Sequence, residues 1–422
     1  MDLAQFSQSK TGQLVRIFGS MEDWAFVPDP LPPETPAYPD LVPQLMEAVD
    51  RLADLNGRAQ DLPTPDLLLR PLQQQEALQS SKLEGTHATP EDVLLFVQNP
   101  REVKSESDPA NNWMEVANYT KALQAGYTLL QKYPLSLNVI RQMHKALMTG
   151  VRGKDRNPGE FRRVQVAIGN RFVPVPPQHI LPHMSELEGY LNKPVSWMDR
   201  LVRPFIAHYQ FEAIHPFWDG NGRIGRALLA LNIYLNCGHS MPWLYMSPYF
   251  DRHKDEYMLR LFRISTHGEW NEWLAFCLRG VVAQANDSIT RCKMFKEIHR
   301  RYKARSVLGG SRRTSQIIEA LFTFPVVSAP ALKKRFSTTY PTAKADIEHL
   351  CRCGILRPIS ASKPASYFAW EIFKVAYSET PSLASDNDIK AVIESAGNAP
   401  PPPSPTPSAD FTPDHPPAPS DH

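Results

Sequence analysis

Cysteine is scarce in this chain of 422 residues, and the five it has, Cys237, Cys277, Cys292, Cys351 and Cys353, are scattered. An odd, dispersed set excludes a disulfide framework, and Cys351-x-Cys353 fits neither a redox pair nor a zinc site. Reduced thiols in a cytoplasmic chain are expected. Long apolar runs are missing too. No stretch approaches the ~18 apolar residues of a membrane span. The first ten residues are polar and lack the apolar core of a secretion signal. A membrane partner is therefore not expected. Charge of one sign is also lacking: 46 Lys and Arg against 44 Asp and Glu leave +2. No global field points to nucleic acid or to an anionic surface. Internal repeats are absent, and strand signals are almost absent.

Helical apolar spacing is abundant. It predicts helices near 45–55, 72–84, 112–131, 137–149, 182–194, 200–214, 222–236, 253–266 and 270–305. Pro71 suits the first turn of the second helix, and Gly85 suits the position just past its end. Thr89-Pro90-Glu91-Asp92 carries an N-cap pattern. Residues 165–173 hold two apolar runs around Gly169-Asn170, which predicts one small hairpin. Gly309 and Gly310, just before Ser311, mark a joint. Beyond it, helix patterns at 314–324, 329–336 and 342–353 precede two short strand patterns, 355–358 and 367–370. That order resembles a winged helix-turn-helix. The expected division is 1–110, 111–305, 311–375, and a disordered Pro-rich tail at 376–422. The fold class is mainly α.

The chemistry concentrates in His215-Pro216-Phe217-Trp218-Asp219-Gly220-Asn221-Gly222-Arg223-Ile224-Gly225-Arg226. Pro216 and Gly220 interrupt helical continuity, so one helix ends near His215 and another opens near Asn221. The N–H groups and positive dipole end of the second helix then face the loop. Gly220 and Gly222 let backbone amides approach an anion, and Asn221 adds a side-chain amide. Arg223 and Arg226 share a helix face and can grip successive phosphates. Asp219 is a hard oxygen ligand suited to Mg²⁺. His215 is a proton acceptor near neutral pH. Gly220-x-Gly222-x-x-Gly225 also matches a dinucleotide fingerprint, but no strand precedes it. Gly153-Lys154 lacks the glycine spacing of a phosphate-binding P-loop.

At these twelve residues the sequence resembles the Fic family, whose motif is His-x-Phe-x-Asp/Glu-Gly-Asn-Gly-Arg-x-x-Arg. The resemblance implies a helical bundle with a β-hairpin flap over about residues 40–290. It implies transfer of AMP from ATP, with Mg²⁺, to a Ser, Thr or Tyr hydroxyl of a protein. His215 would be the base and Asp219 the metal ligand. Gly220, Asn221, Gly222, Arg223, Ile224, Gly225 and Arg226 would bind the nucleotide, and Phe217 would anchor the loop. The flap, expected within 160–176, would pair with the target through Gln165, Val166, Ala167 and Ile168. Tyr257 lies where relatives carry an aromatic near the adenine, although a core tyrosine fits the position as well.

Ser80-Ser81-Lys82-Leu83-Glu84-Gly85 resembles the family's inhibitory motif, Ser/Thr-x-x-x-Glu-Gly/Asn. The helix at 72–85 would then place Ser80, Glu84 and Gly85 so that Glu84 pairs with Arg226 and displaces the γ-phosphate. Two other outcomes stay open at this stage: a DNA-binding regulator with a silent domain, and transfer of UMP. Reverse removal of AMP, self-modification, protein docking on the C-terminal module and a homodimer also stay open.

Overall fold

A computed structural model of the chain describes residues 1–18, 23–33, 38–151, 157–306, 311–359, 362 and 364–378. The glycine pair 309–310, the Gly153-Lys154 pair and the Pro-rich tail beyond 378 lie outside the described residues.

The chain opens with a single 3-10 turn and a hairpin of β1 (Gly12–Arg16) and β2 (Trp24–Pro28). The sequence pattern misses this hairpin because β2 is buried on both faces, so no alternation marks it. Then come α1 (Tyr38–Gln60), α2 (Asp66–Leu83), α3 (Pro90–Gln98), α4 (Ala110–Leu130) and α5 (Leu137–Leu147). The expected helix at 72–84 starts six residues early, and Pro71 lies inside it rather than in its first turn. Leu67, Leu68, Leu69 and Leu72 are buried around that proline. Burying four leucines outweighs the ~3 kcal/mol local penalty of an interior proline. Thr89 caps α3 as expected, accepting from the Asp92 N–H.

Next are α6 (Pro177–Asn192), α7 (Asp199–Ile214), α8 (Asn221–Cys237), α9 (Ser247–Arg252), α10 (Lys254–His267) and α11 (Trp270–Ser306). Helices α7 and α8 are buried nearly all round and form the centre of the bundle. The motif is the turn between them. Helix α1 buries Leu41, Leu45, Ala48, Leu52, Leu55 and Ala59, a 4-3 spacing that presents one stripe to the long α11.

The expected flap is slighter than a two-stranded hairpin. Residues 165–172 hold a turn at Gly169-Asn170 closed by one bridge, Ile168 to Phe172. Its return limb is tied to β2 by a Phe26 N–H to Val173 O bond of 2.8 Å. Phe172 packs on Phe6 and Phe26.

After the joint lie α12 (Arg312–Thr323), β3 (Val326–Ser328), α13 (Ala329–Arg335), α14 (Tyr340–Arg352), β4 (Leu356–Pro358), β5 (Ser366–Ala369) and α15 (Trp370–Tyr377). The strands form an antiparallel sheet in the order β3-β5-β4. The two expected strands are present with a third, β3, and Trp370 starts a helix instead of ending a strand.

This module rests on α2 and α11. Of the basic residues between 291 and 313, Arg291, Arg301 and Arg305 build that seam, while Lys293, Lys296, Arg300, Lys303 and Arg312 are exposed. Arg291 is buried, pairs with Asp287 at 2.7 Å, and donates to the carbonyls of Val375, Ala376 and Ser378. Arg301 and Arg305 both hold the buried Glu371. Among the described residues no helix is long and apolar enough to cross a membrane. All five cysteines carry free thiols.

Candidate active site

Helix α7 ends at Ile214, and His215 takes the left-handed conformation with φ 52°. A non-glycine residue held there is uncommon, and such strain concentrates at functional sites. Gly220 is also left-handed, with φ 75°, and opens α8 without any side-chain cap. The positive φ favours glycine here, and a Cβ at Gly220 would also press on Leu147 Cδ2 at 3.0 Å. The first N–H groups of α8 therefore face the loop uncapped, a ready anion site.

The Asn221 side chain does not face that site. Its Oδ1 accepts from the Phe217 N–H and its Nδ2 donates to the Phe217 carbonyl, both at 2.8 Å. Asn221 is buried and staples the loop shut, so only its backbone can serve an anion. Phe217 is fully buried, as expected of an anchor.

Two residues that sequence reasoning missed hold the loop from below. His144 stacks on Phe217 with ring centroids 3.8 Å apart. Its Nδ1 accepts from the Gly159 N–H at 2.8 Å, so Nε2 carries the proton and donates to the Asp219 carbonyl at 3.0 Å. Burial depresses its pKa to about 4, which keeps it neutral. Arg162 is buried and donates to the carbonyls of His215, Val164, Val175 and Ile214. One guanidinium thereby ties the loop to the flap. His144 lies in the buried stripe Val139, Ile140, Met143, Leu147 of α5, which was the available signal. Arg162 had none, because its partners are all backbone.

His215 is half-buried. Its Nδ1 donates to the Glu212 carbonyl at 3.3 Å, which leaves the Nε2 lone pair as the only acceptor. Burial, then the nearby Arg162 charge, depress its pKa to about 4, against a smaller opposing pull from Glu84. The ring is neutral at pH 7 and its open nitrogen is a base.

Arg223 is buried and meets Glu115 at 3.2 Å and Asp219 at 3.6 Å. Glu115 also accepts from Thr86, so α4 and the residues after α2 share this cation. Asp219 is about 43% exposed in its side chain and accepts from the Gly220 N–H at 2.6 Å. A partly open carboxylate beside an uncapped helix start suits a hard cation whose other ligands are phosphate and water. Among the described residues no cluster of three His, Cys, Asp or Glu could hold a metal alone.

Arg226 is 3% exposed and is gripped by α2, with Tyr257 and Glu212 also close to its charge. Its Nε donates to Ser80 Oγ at 2.9 Å, and its Nη2 donates to Ser80 O and to Glu84 Oε1, each at 2.8 Å. Burial pushes the Glu84 carboxyl up, but Arg226, with Arg223 and His215 behind it, outweighs this and holds it below its usual value. Gly85 has φ 85° and lets the chain turn away just past Glu84. A Cβ at Gly222 would overlap Glu84 Oε1, so the carboxylate lies directly over the start of α8. A Cβ at Gly225 would overlap Glu212 Oε1. Gly225 therefore serves the α7–α8 contact, and Ile224 is buried core.

Tyr257 is also core. It is 3% exposed, stacks on Phe250 at 4.3 Å, and shares a 2.8 Å hydrogen bond with His208. The flap residues Gln165, Val166, Ala167 and Ile168 lead into the bridge, with Ala167 exposed.

Residues 42–128 match the family model described as "Fic/DOC family N-terminal", and residues 134–233 match "Fic/DOC family". The chain is 36% identical over 107 residues to "Protein adenylyltransferase fic-1" of Caenorhabditis briggsae, which is 25% of this chain and 20% of that protein. It is 46% identical over 72 residues to "Protein adenylyltransferase Fic" of Culex quinquefasciatus, 17% of this chain and 14% of that one. The chain thus spans about a fifth or less of the length of these relatives. A solved Fic family protein from Desulfovibrio desulfuricans G20 superposes with a TM-score of 0.49 at 20% identity, covering 81% of this chain and 98% of that one.

Proposed function

We propose that this chain, a Fic-domain protein, moves AMP from ATP to a Ser, Thr or Tyr hydroxyl of a protein and is held off by its own Glu84. The observation that carries this is the neutral His215, its Nε2 open, beside an α8 start overlain by Glu84.

His215 Nε2 takes the hydroxyl proton as the oxygen attacks the α-phosphorus. The bond to the bridging oxygen breaks, and pyrophosphate leaves with that electron pair. The uncapped N–H groups at Asn221 to Arg223 and the Arg223 guanidinium stabilise charge on the phosphates. Asp219 is the residue that would hold Mg²⁺, which supplies further charge neutralisation when bound. Arg226 would hold the γ-phosphate, but Glu84 occupies it. A nucleotide entering against Glu84 is misplaced, and a small misplacement costs much rate. The limb 165–168 would take the target segment as an added strand.

The order of helix, strand, two helices and two strands from Arg312 to Ala369, with α15 appended, supports a winged helix-turn-helix reading. Its α14 carries Lys344, His349 and Arg352, but Lys344 pairs with Glu348, and Asp346 turns inward onto Arg313. We read the module as a structural partner of α2, not as a DNA reader. We keep the division 1–110, 111–305 and 311–375 as part of the proposal; the α4 start at Ala110 lies near its first boundary.

The test is incubation of wild-type, Glu84→Gly and His215→Ala proteins with labelled ATP and UTP in a cell lysate. Glu84→Gly should raise AMP incorporation at least tenfold. His215→Ala should abolish it in either background. Equal labelling by wild type and Glu84→Gly removes the brake, and preferential UMP labelling corrects the cargo.

A further inference from the structure

Preceding the brake along α2 lies a cavity of about 410 Å³, within the range of small-molecule sites, about 300–1,000 Å³. Its walls are Ala77 and Leu78 of α2, Leu94 of α3, Thr120 of α4, and the ends of α12 and α15. The walls are mainly apolar. The charged side chains that line it are Arg70 and Lys121, with no carboxylate among the lining residues. Arg70 meets Asp66 at 3.3 Å and makes only long bonds, 3.3 Å each, to Gln73 and Gln124. Lys121 is exposed and donates to Asn118 at 2.9 Å. An apolar body with one anionic end matches this lining: hydrocarbon against the leucines, a carboxylate towards two cations.

The cavity belongs to the same helix as the brake. Gln73 and Ala77 of its lining fall in one i, i+3/i+4 series with Ser80 and Glu84, which hold Arg226, so cavity and brake follow each other along one face of α2. The far wall is fixed to α2 by Tyr377, whose hydroxyl donates to Gln74 Oε1 at 2.5 Å. Moving α2 off Arg226 would reshape this wall.

We propose that the cavity is an effector site for an aliphatic carboxylate, and that its occupation reinforces the Glu84 brake. The second half rests on the function proposed above. A ligand that fits the cavity as it stands favours this seat of α2 over any other, by mass action.

Octanoate is the probe, titrated calorimetrically into the full chain without nucleotide, with octylammonium as the control of opposite charge. One octanoate should bind per chain, and octylammonium should not. Arg70→Gln combined with Lys121→Gln should weaken octanoate at least tenfold. Thr120→Trp should fill the cavity and abolish binding, with an unchanged Tm showing that it folds. Equal binding of both probes, or octanoate binding untouched by the charge variants, overturns the site. Saturating octanoate should then lower wild-type AMP incorporation about threefold and leave Glu84→Gly unaffected. An equal drop in both overturns the link to the brake. If Glu84→Gly is no more active than wild type, the brake itself fails, and the titration still decides the site.

Discussion

A histidine whose Nδ1 is committed to a carbonyl can act only through Nε2, and His215 is in that position. Its acid titration belongs near pH 4, not near the ~6.5 of a free histidine. The pH profile of Glu84→Gly should therefore stay flat from neutral pH down to about 5, and fall only as the ring gains its proton. Glu84 pulls that pKa up slightly, so its removal moves the limb lower, not higher. An acid limb near 6.5 in kcat/KM for Glu84→Gly would contradict the burial of this ring. Arg162 acts through position. Arg162→Met leaves four carbonyls without their donor and should cost about 3 kcal/mol of stability. Denaturant melts would read this. The break between two helices at His215 and the new start at Asn221 were legible in the sequence. The commitment of Asn221 to Phe217 was not, because a side-chain amide reads the same whether it faces a ligand or its own backbone.

At the scale of elements, α2 carries the brake. Besides Arg226, contacts to α4, α9 and α10 seat its C-terminal half, including the Tyr119 hydroxyl on Glu76. Lys82 pairs with Asp251 at 2.7 Å, Lys254 donates to the Leu83 carbonyl at 2.9 Å, and buried Glu76 accepts from the Ser247 N–H at 3.0 Å. Lys254→Met removes one of these without touching Glu84 or Arg226. It should raise AMP incorporation two- to fivefold, well short of Glu84→Gly, as measured by label transfer. Wild-type activity in Lys254→Met would show that Glu84 needs no help from α10. Helix type and rough extent were legible from apolar spacing for the helices from α4 to α11 except the six-residue α9, which is too short to show a period. The start of α2 was not, because Pro71 reads as a boundary and only the surrounding leucines reveal otherwise. The β1–β2 hairpin stayed hidden for a related reason: a strand buried on both faces carries no period of two.

For the whole molecule, buried titratable groups set the pH range of stability. Burial depresses four histidines, His144, His208, His215 and His239, to between about 3 and 4. The unfolded chain protonates them first, so stability falls as pH drops below about 6.5. Glu212 works the other way: burial raises its carboxyl to about 8, with Arg226 opposing and Glu84 assisting. The folded state keeps that proton while the unfolded state loses it near ~4.5, so stability falls as pH rises towards 8. Tm should climb from pH 4.5 to about 6.5 and then decline to pH 8. Glu212→Gln, which keeps the shape without the titration, should remove the decline. A Tm that keeps rising to pH 8 in wild type would show that Glu212 is ionised in the fold.

The overlap of a position-222 side chain with the Glu84 carboxylate also has a meaning for descent. Any ancestor or cousin that gains even a methyl group at that point must push the glutamate aside, since the carboxylate end is flexible and the α8 backbone is not. The two traits are then alternatives in inheritance. Lineages with a larger residue at this position should have lost the glutamate or found another means of restraint. In those that keep the glutamate, selection to stay silent is enough to preserve the glycine, whatever the nucleotide requires.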